Sequence, residues 1–101
     1  MGVHKLNRQD LGADDPTFAT VGVASAVAVA RNLSRRGLVV TNTSANRISL
    51  GIGTTAVLNR GITLFPNGGA FVMTEQTFTL EAIHAIAGGA DSNLAVQEFS
   101  A

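Results

Sequence analysis

Residues 51–69 read GIGTTAVLNRGITLFPNGG, and the fold turns on what those glycines are for. Gly51-Ile52-Gly53-Thr54-Thr55-Ala56 fits the G-x-G-x-x-G/A fingerprint of a dinucleotide-binding turn. The fingerprint works only where the glycines lead out of a strand into a helix, whose N-terminal amides and dipole hold the pyrophosphate. No such helix fits here. Asn59-Arg60-Gly61 interrupts almost at once, and Pro66 and Gly68-Gly69 arrive before a crossover could be completed. Glu75 lies at a suitable distance for a ribose-binding acid, but only after several predicted strands and turns. Gly51 and Gly53 are therefore expected at a bulge, or where a neighbouring backbone or sheet approaches closely. No nucleotide or other cofactor is expected.

Outward from that stretch the texture is that of strands. Ile48, Leu50 and Ile52 alternate with Ser49 and Gly51, which predicts a half-buried strand. Upstream, Val21, Val23, Val27 and Val29 keep a period of two with a break at Ala24-Ser25, predicting a strand pair or one long bent strand. A helix is the runner-up there, opposed by the β-branched residues and Gly22. The β-branched run GLVVTNT follows the polar loop RNLSRR and closes in the turn residues TSAN at 43–46. Downstream, strands are predicted at 56–58, 62–65, 70–73, 77–86 and 94–99, separated by Asn59-Arg60-Gly61, Pro66-Asn67-Gly68-Gly69 and Gly88-Gly89-Ala90-Asp91. Turn signals at such intervals, without a convincing amphipathic helix, predict an all-β protein, an antiparallel β-sandwich or barrel. Residues 1–16 lack sustained periodicity and end in Asp14-Asp15-Pro16. They read as an extended N-terminal arm, with the β-sandwich domain at 17–101.

Composition narrows the class further. The 101 residues suffice for one domain that buries about two-thirds of its unfolded surface. Charged residues are 14% of the chain, against about 25% in an average soluble domain, which points to a surface that meets other protein. The longest small apolar run, 21–30, is too short to span a membrane. Absence of cysteine excludes a disulfide framework and a thiolate metal site. The start, MGVHKLNRQD, lacks the apolar stretch of a secretory signal, and Leu6 stands where N-myristoylation needs Ser or Thr, so use without export is expected. The sequons at Asn32 and Asn42 then carry no weight. Net charge is zero, but six of seven basic residues lie in 1–50 and four of seven acids in 51–101. That spread falls short of a nucleic-acid footprint.

Chemistry finds no foothold. His4 lies in the arm, and His84 sits in EAIHAIA with Ile83 and Ala85 predicted on the opposite face. Two histidines without cysteine make a poor metal set, and no G-x-S-x-G elbow accompanies the serines. Glu75, Glu81, Asp91 and Glu98 read as solvated or edge-protecting carboxylates rather than a catalytic pair. Arg35 and Arg36 precede a strand and could meet an acidic partner or a phosphate, although an edge-strand gatekeeper pair is the favoured reading. All five aromatic residues are Phe, so stacking platforms for sugars or single strands are missing.

Three motifs carry a resemblance. They are Arg35, Arg36, Leu38, Val40 and Asn42 in an R-R-x-L-x-V-x-N strand; Ile48, Leu50 and Gly51 in I-x-L-G; and Gly61, Ile62, Leu64, Pro66, Gly68 and Gly69 in a G-I-x-L-x-P-G-G pattern. With the close IHAIAGGADSNLAVQE, the chain over residues 20–98 resembles small β-sandwich virion proteins of tailed bacteriophages, the head decoration or cement proteins and related fibre modules. Asn67, between Pro66 and Gly68, lengthens the usual turn. The resemblance implies a jelly-roll-like sandwich without catalytic residues, a homo-oligomer with a trimer favoured, and the major capsid protein as partner. It further implies residence on the capsid exterior after synthesis in the bacterial host cytoplasm, with no direct contact to nucleic acid or membrane. On this reading Val3, Leu6 and Leu11 anchor the arm, and Arg35, Arg36 and Arg60 are rim contacts. The alternative is a head-fibre or tail-associated module binding a host receptor or glycan, and a small hydrolase using His84 is a distant third.

Overall fold

A computed structural model of the protein describes residues 12–101, where the β-branched runs become eight strands. These are β1 (Thr17–Val21), β2 (Ala26–Val29), β3 (Arg35–Asn42), β4 (Ile48–Ile52), β5 (Ile62–Leu64), β6 (Ala70–Val72), β7 (Ile83–Ala87) and β8 (Ser92–Ser100). Antiparallel pairs join β4 to β5, β3 to β6, β2 to β7 and β1 to β8. These pairs are the rungs of one long hairpin with its tip between β4 and β5. Two further antiparallel pairs, β3 with β8 and β4 with β7, roll that hairpin up. The result is two four-stranded sheets, β1-β8-β3-β6 (sheet A) and β2-β7-β4-β5 (sheet B). Their inward rows share one apolar core, consistent with a β-sandwich.

That core is built from branched aliphatic side chains of medium size. Leu38, Val40, Leu94 and Val96 come from sheet A, and Ile48, Leu50, Leu64 and Ile83 from sheet B. Each such side chain, fully buried, contributes about 1.5–3 kcal/mol, so the core is the main source of stability. Phe71 and Met73 pack at its margin.

The two ends of the sandwich close differently from the middle. At one end lie the connections 43–47, 65–69 and 88–91. Asn67 and Gly68 there adopt left-handed backbone conformations (φ 60° and 127°), and the Gly69 amide returns to the Phe65 carbonyl at 3.1 Å. The inserted Asn67 thus fits the turn because asparagine tolerates positive φ, and its amide also bonds Ser44 O at 3.0 Å. A Cβ on Gly69 would fall 2.5 Å from the Phe65 nitrogen. At the other end lie the connections 30–34, 53–61 and 73–82.

Several expectations are corrected. Residues 56–58 form no strand; they belong to a loop that folds back over the outer face of sheet B. There the Ala56 amide bonds Ser25 Oγ at 2.9 Å and the Asn59 amide bonds Ser49 Oγ at 2.8 Å. β4 is in consequence buried on both faces rather than half-buried: Ser49 lies beneath the loop, its hydroxyl 2.8 Å from Thr63 Oγ1. The expected close approach at Gly51 does occur, since a Cβ there would collide with the Thr54 carbonyl oxygen. The predicted strand at 77–86 shrinks to β7. A short 3-10 turn at Glu75–Thr77, closed by the Thr74 amide on Thr77 Oγ1 at 2.7 Å, occupies the residues before it. Around Ala24-Ser25 the chain crosses between sheets, so β1 and β2 are two strands, and no helix forms.

Of residues 1–16, expected as an arm, only 12–16 are among the described residues. Ala13 pairs with Phe99, the Asp14 amide bonds Glu98 O at 2.9 Å, and Ser100 bonds Gly12 O at 3.1 Å. Residues 12–14 therefore run along the protein's own β8. Val3, Leu6 and Leu11 lie outside the described residues.

Candidate interaction surface

The three arginines expected at a rim are separated by the fold. β3 sends Leu38, Val40 and Asn42 inward, and strict alternation would send Arg36 with them. A register shift between Arg35 and Gly37 adds one residue opposite β8 and reverses the assignment. Arg35 is consequently 1% exposed and Arg36 is exposed.

Arg35 is corrected from a rim contact or gatekeeper to a buried tie. Its Nε donates to Glu98 Oε2 at 2.6 Å, Nη1 donates to the carbonyls of Thr79 and Glu81, both at 2.9 Å, and Nη2 donates to Ala30 O at 2.9 Å. One planar guanidinium thus holds β8, the 73–82 connection and the exit of β2 together, a task suited to its forked donors. Glu98, expected as a solvated acid, is half-buried against this group. The exposed contact of Arg31 with Glu81, at 3.9 Å, adds little.

Arg36 lines an open groove of about 490 Å³ with Met73, Thr74, Glu75 and Phe78. Arg60 lies apart from it in the 53–61 loop, beside Ile52, Thr55 and Val57. His84 sits on the outer face of sheet B opposite Val27 and Gly51, with Ile83 and Ala85 buried on the other side as expected. Among the described residues no group of three His, Asp or Glu side chains could hold a metal ion, and no helix is long and apolar enough to cross a membrane.

The outer face of sheet A is the feature that sequence reasoning missed. Phe18, Ala95, Thr41 and Ala70 stand in register across all four strands, and Gln97, Val39 and Val72 form the adjacent row. None of these side chains is charged. Phe18 is 64% exposed and Val72 57%, although both are apolar. Sheet B has a loop over its outer face, whereas among the described residues no connection crosses this one. In β1 the larger side chain points out at Phe18 and the smaller ones point in at Ala19 and Val21, so the usual rule that size goes to the core is inverted. The available signal was the polarity of the alternate positions, Thr20, Thr41, Asn93 and Gln97, all uncharged.

Comparisons of the chain with protein-family models, with curated proteins and with solved structures find no match.

Proposed function

We propose that this protein is a non-enzymatic bacteriophage virion structural protein, a capsid decoration or cement protein that stabilises the head by bridging coat subunits. The sandwich is read as a jelly roll. The strand orders β1-β8-β3-β6 and β2-β7-β4-β5, which come from rolling one long hairpin, support that reading. The observation that carries the functional proposal is the uncharged, partly apolar outer face of sheet A, which no connection among the described residues covers. Such a face loses little on desolvation against another protein, because no charge has to be stripped of water there. The resemblance in strand and turn motifs points the same way. On this proposal the arm lies on the capsid or on a sister subunit, the assembly is trimeric, and Arg36 and Arg60 remain as rim contacts. The protein then acts by multivalent clamping: each added interface lowers the free energy of the assembled shell without any chemical step.

The groove beside Arg36 favours the alternative of a fibre or tail module, because it combines a cation, a carboxylate and Phe78 in one depression. Co-sedimentation with expanded, undecorated phage heads decides between the two. Saturable binding at a fixed ratio to the major capsid protein, weakened by removing residues 1–11, supports the cement reading. Truncation at residue 11 leaves residues 12–14 on β8 in place. Absence of binding to any shell sinks this reading, and retention of a glycan or cell-surface ligand by the isolated protein establishes the other.

A further inference from the structure

The two sheets have four edge strands, and three of them are blunted. β5 and β6 are three residues long, and β2 has a register shift between Val27 and Val29. Short strands and bulges are the usual means of stopping one sheet from extending into another. β1 lacks both. It pairs with β8 through five consecutive residues without a shift, and TFATV contains no charge and no proline. The protection stops just before it, at Asp14-Asp15-Pro16.

We infer that β1 pairs, antiparallel and about a two-fold axis through Ala19, with β1 of a second copy of this chain, joining two A sheets into one of eight strands. In that register Phe18 faces Thr20 of the second copy on the outer side, twice, and Thr17 faces Val21 on the inner side, twice. Charge selects the antiparallel arrangement, and β1 of a second copy offers the same uncharged, proline-free edge, so the two fit each other without burying a charge. The two-fold axis sets the Asp14-Asp15 pairs of the two copies at opposite ends of the joint, away from each other. A parallel, in-register pairing would instead stack the two Asp14-Asp15 pairs against each other, and like charges directly opposite are destabilising. The contact adds main-chain bonds to an edge that no strand among the described residues pairs, and it places the exposed Phe18 rings against the neighbour's threonine methyl groups.

The inference is independent of the virion reading: shell binding and self-pairing are separate measurements. Sedimentation velocity on the full chain over a range of concentrations is compared with two double variants at the exposed positions 18 and 20. Circular dichroism and the thermal midpoint check that each variant folds. Phe18→Lys with Thr20→Lys sets lysine against lysine at both cross-strand pairs and is expected to weaken one two-fold association step by about tenfold or more. That step is dimer to monomer, or a doubled assembly to its half. Phe18→Glu with Thr20→Lys sets glutamate against lysine at both pairs and restores the step only if residue 18 faces residue 20. A wild-type chain without a two-fold step, equal association of all three proteins, or failure of the Glu/Lys variant to recover would each overturn the inference.

Discussion

β3 begins at Arg35 and ends at Asn42, and both side chains are fully buried. The same strand thus seals both ends of the sandwich with a polar group, but by different chemistry. At the Arg35 end one cation gathers a carboxylate and three carbonyls from elements far apart in sequence. At the Asn42 end the network is neutral and more local. Asn42 Nδ2 donates to Asn46 O at 2.7 Å and Leu64 O at 3.1 Å, and its Oδ1 accepts from the Ser44 amide and hydroxyl. Asn46 Nδ2 continues the network to Ser92 Oγ, which donates to Gly89 O. Where the chain turns tightly, short amide side chains reach the nearby backbone. Where the connections are long, only a long guanidinium spans the gap, and it requires Glu98 to balance its charge.

Removing the cation should break this comparison most sharply. Arg35→Ala leaves Glu98 half-buried without its partner and three carbonyls without a donor, at an expected cost of about 3–5 kcal/mol in urea denaturation. Hydrogen exchange should quicken in 78–82 and leave 65–69 unchanged. Asn42→Ala is expected to cost about 2–3 kcal/mol, because its lost bonds are neutral, and to quicken exchange in 43–47 and 65–69 instead. Glu98→Gln keeps the shape of the Arg35 contact and removes its charge, so a loss of about 1–2 kcal/mol is expected; a loss matching Arg35→Ala would show that charge balance, not the carbonyl ties, dominates that end. The smallest effect belongs to Arg36→Ala, within about 0.5 kcal/mol of wild type, since its side chain is solvated. If Arg36 is a rim contact, that variant should still weaken co-sedimentation with phage heads.

Much of the fold was legible in the residues themselves. β-branched alternation located β3 and β4, and the glycine and asparagine turns marked the connections at 65–69 and 88–91. Asn59-Arg60-Gly61 and Pro66 speak in the sequence against a nucleotide-binding turn, and a loop follows β4 where such a turn needs a helix. The extra strand assigned at 56–58 failed because Val57 and Leu58 carry strand-like side chains in a segment whose backbone serves to cover Ser49. The strand at 77–86 was overextended because Thr and Phe have strand propensity, whereas Thr79 and Glu81 use their carbonyls on Arg35 instead of on a ladder. Of the candidate surface, Arg36 and Arg60 were legible as exposed cations. The sheet A face was not, because whether an uncharged outer row is covered depends on where loops from elsewhere fall.

By itself, the sequence determined the all-β class, most of the strand positions and the absence of a cysteine framework. These depend on local terms: β-branched side chains suit a pleated backbone, and glycine and asparagine permit positive φ. Only the tertiary structure decided which of two adjacent arginines is the buried tie and which is exposed, which sheet face a loop covers, and which strands stand at the sheet edges. Those outcomes depend on register. A single added residue opposite β8 exchanges inside for outside, since side chains alternate with a period of two, and no local propensity distinguishes Arg35 from Arg36.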